Sequence, residues 1–299
     1  MPSIRSHIVR FYLKRALRRD SGQTYQQRRK KINRSSNLFK TARGITCSPV
    51  EVGSRSGEWI VPNGAKEGVA ILYLHGGAYT LGSIDSHRAI ASQIAAACQI
   101  QTLLLEYRLA PEHPYPAALE DSVSAFLWMQ SELDIAADRI VIVGDSAGGG
   151  LSIATAIRLR NTGWDMPRAL VCLSPWTDLS MSGSSVQELL GKDPFFTATN
   201  DLCRAASAYA GVHPLTHPEI SPRYANLRGL PDLYVQVGAN EILLSDSVDL
   251  VQAAQVAGVN AQVDIWPGMW HVWQVFHDQM PEARCAVLKI GKKIKAYLS

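Results

Sequence analysis

From about residue 58 onward the chain alternates short apolar runs with longer amphipathic ones. The runs at 69–74, 101–107, 139–143, 168–174, 233–237 and 261–266 are rich in apolar and β-branched residues, as strands covered on both faces are. Between or after them, 86–97, 117–130, 147–160, 246–257 and 281–297 carry apolar residues at helical spacing. This alternation predicts an α/β fold with a mostly parallel, doubly wound sheet. Residues 180–223 break the rhythm and hold no convincing strand. Together with residues 1–45 they are expected to form a helical cap over one end of the sheet, with 46–179 and 224–299 as the main domain. No internal repeat or low-complexity linker points to a further domain.

Composition narrows the class without changing it. The 299 residues are 46% hydrophobic and 19% charged, ordinary for a chain that buries a large core. No apolar stretch approaches the roughly 18–20 residues of a membrane span, and the N-terminus lacks the apolar centre of a secretory signal. Five scattered cysteines (Cys47, Cys98, Cys172, Cys203, Cys285) are odd in number and without metal-ligand spacing, and read as reduced thiols of a cytoplasmic protein. The charge is unevenly spread: residues 1–44 hold 13 of the 30 Lys and Arg against one acid, Asp20, for a net +12. The remainder, with 17 bases and 25 acids, carries −8. Arg28-Arg29-Lys30-Lys31 admits a nucleic-acid or anionic-lipid reading. No nucleic-acid motif accompanies it, so a solvated face on a helical extension is preferred, with Ile8, Phe11, Tyr12, Leu13 and Leu17 packing on the body.

The chemistry concentrates where predicted strands end, the place at which open α/β sheets form their sites. After the run at 139–143 comes Gly144-x-Ser146-x-Gly148, followed at once by a helical pattern. Chance alone supplies this five-residue pattern in about one chain of ten at this length. Its strand–turn–helix setting is what a nucleophile elbow requires. After the run at 69–74 comes His75-Gly76-Gly77-Ala78-Tyr79. The N–H groups of Gly76, Gly77 and Ala78, with that of Ala147, are candidate oxyanion donors.

A serine hydroxyl near neutral pH needs an imidazole to take its proton, and the imidazole needs a carboxylate to fix its tautomer. His271 follows the last predicted strand in a glycine-containing loop, whereas His75, His113, His213, His217 and His277 sit where structural roles are the simpler reading. For the acid, Glu241 comes first after the run at 233–237, while Asp246 opens the next helix and fits an N-cap. Asp145 is expected to brace the elbow, and Asp178 lies early for the acid position. Glu241 is preferred and Asp246 is the alternative. Serine, then acid, then histidine is the chain order of α/β-hydrolases.

Leu72-Tyr73-Leu74-His75-Gly76-Gly77-Ala78-Tyr79, Tyr107-Arg108-Leu109-Ala110-Pro111-Glu112-His113, Gly144-Asp145-Ser146-Ala147-Gly148-Gly149 and Ser174-Pro175-Trp176 together resemble the bacterial hormone-sensitive-lipase-like esterases, from about residue 70 to the C-terminus. The resemblance implies an α/β-hydrolase catalytic domain with a helical cap, acting on carboxylic esters with a preference for short acyl chains and needing no metal or organic cofactor. In that family the acid lies about thirty residues before the histidine, which supports Glu241 over Asp246. The commoner acid there is aspartate, and Ala78 stands where a third glycine is usual, its methyl group narrowing the alcohol side. The expected partner is a small-molecule ester, with a homodimer allowed, and neither nucleic acid nor stable membrane insertion is expected. Lactone and amide hydrolysis are rivals on the same fold, whereas an epoxide hydrolase would carry a carboxylate at the elbow. A non-catalytic receptor for a small ligand is the rival outside catalysis. Tyr79, Trp176, Phe195, Phe196, Trp270 and Trp273 are candidate pocket residues.

Overall fold

An eight-stranded sheet runs through the molecule, a computed structural model that describes residues 2–17, 23–196 and 198–299. Its strands are β1 (Ile45–Val52), β2 (Arg55–Pro62), β3 (Lys66–Leu74), β4 (Ile100–Leu105), β5 (Ile140–Asp145), β6 (Ala169–Leu173), β7 (Asp232–Gly238) and β8 (Ala261–Trp266), in spatial order β1-β2-β4-β3-β5-β6-β7-β8. β1 and β2 pair antiparallel, as do β2 and β4, and every pairing from β4 to β8 is parallel. The chain leaves β3 for β4 on one side and then returns to β5 on the other. The loops after β3 and β5 therefore meet at the switch point where such sheets bind ligands.

The parallel strands read as continuous apolar runs because both faces are covered. On β3, Ala70, Leu72 and Leu74 point into one buried cluster, with α4 (Ala117–Leu133), α5 (Ala147–Asn161) and α8 (Leu244–Val256). Val69, Ile71 and Tyr73 point into the other, with α3 (Ile84–Cys98) and α9 (Pro281–Tyr297). The β1–β2 hairpin was not expected from the apolar pattern. It lies at the sheet edge, and β1 buries only Val52 fully, so it lacks the apolar run of an inner strand. Pro49 is tolerated there because an edge strand can spare a backbone donor.

As expected, the described residues of 180–223 hold no strand; they carry α6 (Ser184–Glu188) and α7 (Asn200–Ala210). The N-terminal segment forms α1 (Ile4–Leu17) and α2 (Tyr25–Ser36). The expected packing of α1 is only partly present. Leu13, with Val9, packs against the cluster around Trp270 and Trp273, but Ile8, Phe11 and Tyr12 face outward, and the side chain of Leu17 is outside the described part. Polar anchors hold α1 instead: Ser3 Oγ donates to Glu282 Oε2 at 3.0 Å, Lys14 Nζ to the Gly191 carbonyl at 2.8 Å, and Arg10 to the Lys192 carbonyl. Nor is the basic run wholly a solvated face, because Arg29 donates at 2.8 Å to the carbonyls of Thr80 and Ala110 and to Glu112.

Candidate active site

Ser146 sits between β5 and α5 at φ 52°, ψ −120°, outside the regions that a side chain adopts without strain. Its neighbours hold it there. The Ser146 N–H donates to Leu173 O at 2.8 Å, and its carbonyl accepts from Trp176 N at 2.9 Å and Gly150 N at 3.1 Å. A Cβ at Gly144 would strike the Gly148 carbonyl, and one at Gly148 would strike the Leu74 carbonyl, so both glycines are needed for the helix to approach the sheet.

The strand-end loops bring the three expected residues together. His271 Nε2 lies 2.9 Å from Ser146 Oγ, and His271 Nδ1 lies 3.6 Å from Glu241 Oε1. The second distance is just beyond a hydrogen bond, a looseness common in unliganded sites. Glu241 is fully buried, whereas Ser146 keeps 8% of its surface open. Glu241 Oε2 accepts from Ser174 Oγ at 2.9 Å and Gly238 N at 3.1 Å. Ser174 Oγ in turn accepts from Val272 N at 3.2 Å, so one hydroxyl ties the acid to the histidine's loop.

Asp246 does something else. Its Oδ2 accepts from the N–H groups of Thr177 and Asp178, both at 2.9 Å, and no bond to His271 is seen among the described residues. Burial pushes its pKa up to about 7. His271 is pulled down most strongly by burial, yet Glu241, Asp193 and Asp145 together raise it above the ordinary imidazole value. An imidazolium is thus favoured at the position where a serine's proton would arrive.

The turn after β3 divides its donors. Gly76 N–H, one of the expected oxyanion donors, is instead bonded to Asp145 Oδ1 at 3.0 Å, because the elbow's aspartate needs a donor and the turn supplies it. The N–H groups of Gly77, Ala78 and Ala147 have no protein acceptor among the described residues. Gly77 at φ 118° and Ala78 at φ 53° turn their amides away from ordinary backbone partners. Asp145 also accepts from Tyr73 OH at 3.0 Å and lies 3.5 Å from His87 Nε2. Burial acts hardest to raise its pKa, but His87 and Tyr73 outweigh it and hold the carboxyl below the usual range. His75 is structural: it stacks on Tyr107 at 4.2 Å, and burial lowers its pKa to about 3.

Of the candidate pocket aromatics, Phe196 and Phe195 flank the imidazole, with ring centres 4.9 and 6.4 Å from it. Tyr79, Trp176, Trp270 and Trp273 are buried in the core. Among residues that the sequence did not single out, Asp193 is the most prominent. Fully buried in the 180–223 segment, it accepts from the His271 N–H at 2.9 Å and the Phe195 N–H at 2.7 Å. Asp193-Pro194 follows no predicted strand, so nothing in the pattern marked it. His213 and His217 neighbour Tyr115, and His277 lies 3.4 Å from Asp278, so none of these joins the cluster. No group of three or more metal-ligating side chains is gathered among the described residues, and no described helix is long and apolar enough to cross a membrane.

A sheet of this order, with a serine elbow after β5 and an imidazole after β8, defines a hydrolase of the α/β class. The family model described as "alpha/beta hydrolase fold" matches residues 71–275. An acetyl-hydrolase of Streptomyces hygroscopicus is 42% identical over 243 residues, 81% of this chain and 80% of that protein. An esterase of Acinetobacter venetianus is 33% identical over 269 residues, covering 87% and 86%. The crystal structure of an esterase from the bacterial hormone-sensitive lipase family superposes over all of both chains with a TM-score of 0.95 at 36% identity. The crystal structure of EstE5 soaked with p-nitrophenyl butyrate gives 0.94 at 36% over 99% of each chain. The chain belongs to the hormone-sensitive-lipase-like esterases of the α/β-hydrolase fold, and it is a carboxylesterase.

Proposed function

We propose that this esterase works by two-step acyl transfer with Ser146 as nucleophile, His271 as general base and acid, and Glu241 as the orienting acid. The observation that carries the reading is the 2.9 Å approach of His271 Nε2 to Ser146 Oγ, with Glu241 beyond Nδ1 on the other side of the ring. Ser146 Oγ attacks the ester carbonyl as its proton passes to His271 Nε2. The oxyanion is held by the N–H groups of Gly77, Ala78 and Ala147, the last at the N-terminus of α5, where the helix dipole adds to it. His271 then protonates the departing alkoxide, the alcohol leaves, and an acyl-enzyme remains. A water deprotonated by His271 attacks it, releasing the carboxylic acid and restoring Ser146.

The cap in this reading is 1–45 with 180–223, over a catalytic domain of 46–179 and 224–299. Short acyl esters are the proposed substrates. The acetyl-hydrolase relative and the butyrate ester used with EstE5 support that class, as does the close seating of Phe196 against the imidazole. Five unbridged cysteines support a cytoplasmic compartment. Ser146→Ala is expected to lower kcat on p-nitrophenyl butyrate at least about 10³-fold without changing the circular dichroism. Retained turnover, or failure of wild-type Ser146 to react with a fluorophosphonate probe, overturns the nucleophile. Across p-nitrophenyl esters, kcat/KM should peak at acetate or butyrate, and a maximum at dodecanoate or longer refutes the short-chain assignment.

A further inference from the structure

The imidazole is approached by Glu241 at Nδ1, but the backbone of His271 is held by a different carboxylate. Asp193 Oδ2 accepts the His271 N–H at 2.9 Å and Oδ1 accepts the Phe195 N–H at 2.7 Å. One carboxylate thus binds the histidine's loop to the segment whose aromatic rings flank that histidine. The two peptides just before it are held as well: the Gly191 carbonyl accepts from Lys14 and the Lys192 carbonyl from Arg10, both on α1. Gly191 sits at φ 76°, in the left-handed region that favours glycine, and its N–H closes the turn on the Phe196 carbonyl at 3.1 Å.

We propose that Asp193 is a positioning residue for ester hydrolysis, clamping the backbone of His271 so that α1 and the 190–196 turn set where the imidazole sits. The inference rests on the triad reading above. Asp193 has no exposed surface, and a carboxylate buried to accept two N–H groups is a costly arrangement for mere packing. Burial raises its pKa to about 7 against the pull of His271 and the two N–H donors. The charged groups facing His271 are Glu241, Asp193 and Asp145, and those facing Asp193 are His271 and Glu241.

Asp193→Asn keeps the shape but leaves only one acceptor for two donors. It is expected to lower kcat on p-nitrophenyl butyrate about 10–100-fold, with KM within about threefold, since misplacing a reacting group by a fraction of an ångström costs this much. The acid limb of kcat/KM should move to lower pH where it overlaps the ionisation of Asp193 near pH 7, because a negative charge that favours the imidazolium there is gone. At pH 8.5 its melting temperature should not fall below wild type, as the buried charge is removed. Arg10→Met with Lys14→Met should lower kcat about three- to tenfold and add less than fully to Asp193→Asn, the sign of one shared path. Wild-type kcat and acid limb in Asp193→Asn overturn the proposal. If Asp193→Asn does not fold, the α1 double variant decides, and an unchanged kcat there overturns it. Fluorophosphonate labelling separates the two readings: an inert Ser146 in wild type sinks the triad itself. A reactive wild-type serine, labelled equally fast in Asp193→Asn, sinks only the clamp.

Discussion

The loops at the strand ends and the 180–223 segment both reach the imidazole, but by different means. The strand-end loops act through side chains: Ser146 after β5, Ser174 after β6, Glu241 after β7 and His271 after β8 form a chain of polar contacts across neighbouring strands. The 180–223 segment acts on backbone, through one carboxylate on the His271 amide, and beside the ring, through Phe195 and Phe196. The sheet fixes the first set to the geometry of eight hydrogen-bonded strands. The second set is fixed by how the segment docks, with Arg10, Lys14 and Asp193 among the contacts that hold it. In the proposed mechanism the chemistry is thereby anchored in the sheet's layer, while its fine placement is shared with the 180–223 segment.

Within the strand-end region, two buried carboxylates five residues apart sharpen the contrast. Glu241 faces His271, and Asp246 holds the Thr177 and Asp178 amides. Glu241→Gln should therefore lower kcat about 10³–10⁴-fold by leaving the imidazole in the wrong tautomer. Asp246→Asn should change kcat by no more than about threefold. A larger kcat loss from Asp246→Asn than from Glu241→Gln would erase the distinction. Smaller in size is Ser174→Ala, which cuts the tie between Glu241 Oε2 and the Val272 N–H. It is expected to lower kcat roughly tenfold with KM nearly constant, since the lost contact orients a catalytic group and need not touch substrate.

These differences also explain what could be read from the chain. The inner strands are legible because burial on both faces leaves uninterrupted apolar runs, and Ser146, Glu241 and His271 stand out as candidates because each follows one. The β1–β2 hairpin was hidden because an edge strand such as Ile45–Val52 mixes polar and apolar residues. Gly76 departs from its expected role because a glycine in such a turn can equally serve the aspartate beside the nucleophile, and only geometry separates the two. The outward face of α1 departs from expectation for a related reason. Periodicity places Ile8, Phe11 and Tyr12 on a helix, but the Ser3, Arg10 and Lys14 contacts decide which face turns inward. Asp193 was invisible because its task is to accept backbone N–H groups, a role that leaves no spacing in the sequence.

The smallest expected effect is on stability, and it follows from the same two buried aspartates outside the triad. Asp246 and Asp193 each have a pKa raised to about 7 in the folded protein, against about 3.9 for an unfolded aspartate. A group with a raised folded pKa contributes fully below the unfolded value. As pH rises from about 4 to 7, the unfolded chain ionises first and is favoured, by at most about 1.4 kcal/mol per pH unit for each group, and above 7 the loss levels off. The groups facing Asp246 are Asp178, which opposes its ionisation, and Arg223, which favours it but is itself paired with Asp249 at 2.8 Å. Asp246→Asn removes this slope at one site while keeping an oxygen for the Thr177 and Asp178 amides. Its melting temperature relative to wild type should climb by about 2 °C or more between pH 5 and 8 and then stay level. A difference independent of pH would mean that Asp246 is ionised throughout this range, and that burial at the end of the sheet does not separate it from an ordinary surface carboxylate.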